Sequence, residues 1–146
     1  MGYRSDVLIA IAFKTKTQRD EIWAAYCIDP RVQKYGLAGV WKNSNEDEFT
    51  PILYEDEFTP ILYYYQESIK WYESSEDVQG IEHMRDVAEQ FEEHRGMPFA
   101  WLRYRIGEEL TDVEVEEYHT DDGGEDDLIG ELWQRANIER RIDHSF

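Results

Sequence analysis

Residues 7–13 are apolar on both faces of a strand, with Val7, Ile9, Ile11 and Phe13 on one side and Leu8, Ala10 and Ala12 on the other. Successive strand side chains point to opposite faces, so this pattern predicts an interior strand. Thr15, followed three residues later by Gln18, has the spacing of a helix start. A helix through Ile22, Trp23, Tyr26 and Cys27 buries one face and stops before Asp29-Pro30. There Asp29 caps a second short helix with Pro30 in its first turn, and Gly36 or Gly39 ends it. Alternation returns over residues 61–72. One face carries Ile61, Tyr63, Tyr65, Glu67, Ile69 and Trp71, the other Leu62, Tyr64, Gln66, Ser68, Lys70 and Tyr72. A strand this rich in aromatic and β-branched residues is expected at or near the centre of a sheet.

Ser74 and Ser75 precede the clearest helix, residues 76–94. Its stripe of Val78, Ile81, Met84, Ala88 and Phe91 recurs at spacings of three and four. Glu82, Arg85, Glu89, Glu92 and Glu93 form the outer face, and His94, Arg95, Gly96 and Pro98 supply a C-terminal stop. A third strand spans residues 99–106, a turn 107–112 and a fourth strand 113–119. Arg103 and Arg105 are expected to meet Glu114, Glu116 or Glu117 across this hairpin, each pair adding about 0.2–1 kcal/mol. Residues 120–127 read as an acidic loop and 128–136 as a short helical turn. Ile138, Arg140, Ile142, His144 and Phe146 then alternate as a last strand. The order predicts a single α+β domain over residues 1–146. It is a two-layer sandwich, with helices on one face of a mostly antiparallel four- to five-stranded sheet. The βα crossovers are expected to leave some early strands parallel.

Residues 46–54, EDEFTPILY, recur unchanged as residues 55–63. Nine is odd, and a strand has period two, so the two copies cannot share one continuous strand in register. The second copy runs straight into the aromatic strand and belongs to the sheet. The first is expected in a loop or at an edge, since loop closure entropy rises only slowly with length. The same segment offers a self-assembly arm, if it adds a strand to a neighbour.

The net charge of −18 is spread unevenly. Residues 1–42 hold seven Lys/Arg against four Asp/Glu, while residues 43–146 hold eight against 29. Repulsion at this charge argues against direct contact with nucleic acid or anionic membrane and favours a partner protein with a basic surface. No apolar run reaches membrane-spanning length, and no signal-peptide pattern opens the chain, so a cytoplasmic setting is expected. The lone Cys27 allows no internal disulfide and reads as a small core residue.

No Walker loop, GxGxxG, GxSxG or HExxH is present. His83, His94, His119 and His144 lack ligand spacing, and the acids of 120–127 do not match an EF-hand loop, so no catalytic residue, metal or cofactor is assigned. Glu67, amid an aromatic strand face, calls for a cation, for which Arg103 and Arg105 are candidates, or for open solvent. A ligand pocket near Glu67, Trp71, Trp101 and Arg103 is one candidate site. The acids Glu114, Glu116, Asp121, Asp122, Asp126 and Asp127 form a candidate protein-binding surface.

The opening Met1-Gly2-Tyr3-Arg4-Ser5-Asp6-Val7, the segment Ile69-Lys70-Trp71-Tyr72, and Val78-Gln79 with Ile81-Glu82 carry a resemblance. The chain resembles a diffuse group of small bacteriophage-encoded proteins of unassigned function that open with MGYRS and carry KWY before an acidic helix. That resemblance implies an accessory protein working in the host cytosol, and it supplies no site residues. The leading expectation is a non-enzymatic protein that binds a host or phage protein, in a sharper form by presenting an acidic surface that mimics nucleic acid. A small-molecule-binding protein or hydrolase with a pocket near Glu67 is the alternative, and a scaffold built through the duplicated segment is another.

Overall fold

The central strand of the sheet is β1 (Ser5–Phe13), in which every residue from Val7 to Phe13 is fully buried. The computed structural model describes residues 2–44, 59–109, 111–120, 128–138, 142–144 and 146. After β1 come α1 (Lys16–Cys27), α2 (Pro30–Lys34), a 3₁₀ turn (Leu37–Val40) and β2 (Lys42–Ser44). Then follow β3 (Ile61–Ile69), α3 (Glu76–Arg95), β4 (Phe99–Gly107) and β5 (Val113–His119). The chain closes with α4 (Leu128–Arg135), β6 (Ala136–Ile138) and β7 (Ile142–His144).

The fold is α+β, built on a five-stranded sheet of order β2-β3-β1-β4-β5 in which every paired strand is antiparallel. The crossovers do join strands of like direction, but never neighbours. β3 lies between β1 and β2, and β1 lies between β3 and β4. These are two interleaved split βαβ units, the ferredoxin-like plan, with β5 added beyond β4.

The helix starts follow local chemistry. Thr15 Oγ1 accepts from the Gln18 N–H (3.2 Å), and Asp29 Oδ1 accepts from the N–H groups of Arg31 (2.8 Å) and Val32 (3.4 Å). Ser75 stands at the α3 N-cap without a capping bond from its hydroxyl; Asp77 Oδ1 accepts from the Val78 N–H instead. Gly36 and Gly96 end their helices in the left-handed conformation.

On one face, Val7, Ile9, Ile11, Phe13, Phe99 and Trp101 pack under Ile22 and Tyr26 of α1 and Val78, Ile81, Met84 and Ala88 of α3. The other face is also covered: Ala10, Ala12, Ala100 and Leu102 meet Leu128 and Leu132 of α4. The short side chains of the three alanines leave room for a helix close to the sheet. The alternating residues near the C-terminus form a hairpin, β6 paired with β7, rather than one strand. No helix among the described residues is long and apolar enough to cross a membrane.

β3 departs from its expected alternation. Ser5 pairs with Ile69 while Val7 pairs with Gln66, so three steps of β3 oppose two of β1. This is a β-bulge. Ser68 takes φ +53°, held from both sides: its N–H donates to Asp6 Oδ1 (2.8 Å) and its carbonyl accepts from Arg4 Nη1 (2.9 Å). Beyond the bulge the faces exchange, so Ile69 and Trp71 join the core under the helices and part from Glu67. The duplicated segment, up to residue 58, lies outside the described residues, as does the expectation that its first copy forms a loop or edge. The described chain resumes at Thr59, and the Phe13 N–H donates to the Pro60 carbonyl (2.9 Å).

Candidate functional site

Phe99, Trp101, Arg103 and Arg105 share the β4 face that looks toward α3, and the hairpin register sets Glu116 opposite Arg103 and Glu114 opposite Arg105. α3 crosses this end of the sheet with Glu82, Arg85 and Glu89 at helical spacing, toward β4 and β5. The result is a groove of about 550 Å³ between α3 and the β4–β5 hairpin, with Trp101 and Arg103 in its wall. Five acids line it, Glu73, Glu82, Asp86, Glu89 and Glu116, against three arginines, Arg31, Arg85 and Arg103.

Arg103 is the hub. It is 8% exposed, one guanidinium nitrogen donates to Glu82, and the other reaches Glu116 at 3.2 Å and Glu114 at 3.9 Å. A buried cation held this way is tied to its carboxylates, because stripping away one partner would leave charge unpaired in a poorly solvated place. Arg85 bonds Glu89 (2.8 Å) and Glu116 and lies 5.2 Å from the centre of the Tyr118 ring. Trp101 Nε1 donates to the same Glu116 carboxylate at 3.0 Å. Burial raises the Glu82 carboxyl above its ordinary value, and the adjacent Arg103 only partly opposes this.

A second knot closes the far end. Arg105 donates to Asp112 (2.6 and 3.0 Å), Glu114 (2.7 Å) and Ser5 Oγ (3.0 Å). These bonds hold the Glu114 and Asp112 carboxyls below their ordinary values and push Arg105 up. Tyr3 Oη donates to Asp112 (2.6 Å) and accepts from the Glu109 N–H (3.0 Å), which ties the start of the chain to the β4–β5 turn. Gly107 permits this approach, since a Cβ there would lie 2.1 Å from Asp112 Oδ2 and 2.3 Å from Tyr3 Oη.

Of the residues the sequence singles out, Trp101, Arg103, Glu114 and Glu116 come together here. Glu117 pairs across to Leu102 and so lies on the opposite face from Glu114 and Glu116. Glu67 does not belong: β1 separates β3 from β4, so neither Arg103 nor Arg105 is its partner. It is exposed and accepts from Tyr65 Oη at 2.7 Å, the open-solvent arrangement. Trp71 lines a separate cavity of about 290 Å³ with Tyr64, Ile69, Asp77 and Ile81, so the four residues expected around one pocket are divided. Asp121, Asp122, Asp126 and Asp127 lie outside the described residues. The apolar stripe of α3 assigns Glu82 and Arg85 to the outer face of the helix. Their spacing was visible, but their turn toward β4 and β5 depends on where α3 crosses the sheet.

Glu82, Glu89 and Glu116 each accept from an arginine, and Glu116 also from the Trp101 indole N–H, an arrangement that holds these three carboxylates in place. Among the described residues no group of three or more His, Cys, Asp or Glu side chains is placed to hold a metal ion. No family model matches the chain, and no curated protein or solved structure is detectably similar to it.

Proposed function

We propose that the chain is a non-enzymatic binding protein whose acidic side, formed by α3, the β4–β5 turn and β5, docks on a basic surface of a partner protein. The observation that carries this is the imbalance of charge after internal pairing. Between residues 73 and 117 fourteen Asp/Glu stand against four Lys/Arg. Arg103 and Arg105 are buried among carboxylates, while Asp86, Glu93, Glu108, Glu109 and Glu117 are exposed. Such a field steers a cationic partner and weakens with salt. A surface mimicking nucleic acid is the sharper form of the same reading. A phage origin, which rests on the MGYRS and KWY segments, would make the partner a host or phage protein met in the cytoplasm.

The test is affinity capture from host-cell lysate, washed at low and high salt, with a Glu93→Gln/Glu109→Gln/Glu117→Gln variant in parallel. A stoichiometric basic partner, lost at high salt and lost with the variant, is expected. A partner retained by both would place the interface elsewhere. The groove favours a second reading, a small-molecule-binding protein, because about 550 Å³ falls in the range of ligand sites. A thermal-shift screen against nucleotides and small cationic metabolites separates the two, since a ligand of the native state raises the melting temperature.

A further inference from the structure

Among the described residues the two edges of the sheet differ in kind. β2 is three residues long, whereas β5 offers seven, and no described strand pairs with its outer side. The hydrogen bonds at the ends of the β4–β5 ladder show which backbone groups face out. The Gly107 N–H donates to the Asp112 carbonyl (2.8 Å) and the Thr120 N–H to the Phe99 carbonyl (3.1 Å). Bonded and non-bonded pairs alternate in an antiparallel ladder. In this register Glu114, Glu116 and Tyr118 therefore bond to β4, while Val115, Glu117 and His119 turn their N–H and carbonyl groups outward, and Val113, whose N–H donates to the Thr111 carbonyl (3.1 Å), turns its carbonyl outward. All four are exposed, with Val113 and Val115 at 42% and 50%.

A long edge with apolar side chains is a template for another strand, and proteins usually blunt it. Here the blunting is selective. Glu114, Glu116 and Glu117 would face their own kind if two copies paired along β5, and like charges set opposite one another destabilise. A cationic strand meets the reverse situation. One of its faces would run beside Glu114 and Glu116, the other beside Val113 and Val115. We propose that β5 takes up an extended segment of a partner protein, alternately cationic and β-branched, as a sixth strand of the sheet. This rests on the basic-partner reading above and specifies its mode of contact: main-chain bonds for affinity, alternate side chains for selection.

The experiment uses two eight-residue peptides of equal charge, one alternating Lys and Val, the other alternating Lys and Pro, in which the residues set opposite Val115 and Glu117 have no N–H to give when Lys lies beside Glu114 and Glu116. Binding is followed by calorimetry and by amide hydrogen exchange of the full chain. The Lys-Val peptide is expected to bind at least tenfold more tightly and to slow exchange tenfold or more at Val115, Glu117 and His119. Val115→Pro removes an outward donor and keeps every charge; proline is tolerated where an edge N–H faces solvent, and the variant should lose the preference for Lys-Val. The exchange measurement on the unaltered chain decides the matter even if that variant folds poorly. Equal binding of both peptides without amide protection overturns strand addition and leaves the acidic surface standing. Absence of binding by either peptide at low salt overturns both. Protection of the same amides by the chain alone, with a doubling of mass, would give the edge to a second copy and overturn the proposal.

Discussion

Tyr26 shows how much one hydroxyl can hold in place. It is fully buried, donates to the Gly80 carbonyl at 2.9 Å, and accepts from Trp41 Nε1 at 3.0 Å, so it joins α1, α3 and the residue after the 3₁₀ turn. Tyr26→Phe leaves the buried Trp41 indole N–H without a partner, at about 1–3 kcal/mol, and takes from the Gly80 carbonyl the bond it makes beyond its own helix. A loss of about 1–3 kcal/mol in urea unfolding, with unchanged m, is the expected result; a loss under about 0.5 kcal/mol would mean that water reaches the cluster. The carboxylates around Arg103 and Arg105 divide by sign. Arg105 holds Glu114 below its ordinary 4.5, so the unfolded chain takes up protons first and stability is lost as pH falls below that value. Burial holds Glu82 above 4.5, so the native chain takes up its proton first and stability is lost as pH rises past that value. Denaturation midpoints across pH 3–7 should therefore show Glu114→Gln flattening the acid limb and Glu82→Gln flattening the limb above pH 4.5. The opposite assignment of the two variants would reverse the roles given to the arginines and to burial.

Elements whose signals are local were legible. Thr15 and Asp29 cap within three residues of themselves, the α3 stripe repeats every turn, and the β4–β5 register follows from the length of one turn, which is why Trp101, Arg103, Glu114 and Glu116 were found. What long-range contacts decide was not legible. The bulge at Ser68 is fixed by Arg4 and Asp6, more than sixty residues away, and it moves Trp71 from the face of Glu67 to the core under the helices. α4 on the second face depends on Ala10, Ala12 and Ala100, which read only as interior residues. Gly80 is a similar case. Within a helix it reads as a weakness of about 1 kcal/mol relative to alanine. In the structure it is the seat of the 3₁₀ turn: a Cβ there would lie 2.5 Å from Leu37 Cδ1 and 3.4 Å from Arg31 Cβ. Overpacking of about 1–3 kcal/mol should outweigh the gain in propensity, so Gly80→Ala is expected to destabilise. Leu37→Ala costs stability by itself through the cavity it leaves. Combined with Gly80→Ala it should cost less than the sum of the two. Additive losses in that double-mutant cycle would show that Leu37 and position 80 do not compete for the same space.

At the scale of the whole molecule, the sheet order explains how a chain can carry a perfect nine-residue duplication beside its core. β2 and β3 are antiparallel neighbours, and Ser44 pairs directly with Ile61. The first copy, residues 46–54, therefore falls wholly within a connection whose ends already lie side by side. The register of β3 is set elsewhere, by pairing from Ile61 onward with β1 and by the Phe13–Pro60 bond. Sixteen residues, 45–60, join the two strands; removal of residues 46–54 leaves seven, ample for a hairpin connection. Shortening from sixteen to seven changes closure entropy by only about 0.7 kcal/mol, in the stabilising direction. The odd length of the repeat does no harm to alternation, since the frame of side chains restarts at Ile61 whichever copy precedes it. Deletion of residues 46–54 should thus keep a cooperative thermal transition and the protected amides of β1 and β3, with a melting temperature equal to or slightly above that of the full chain. A broad, non-cooperative melt would mean that the first copy supports the sheet.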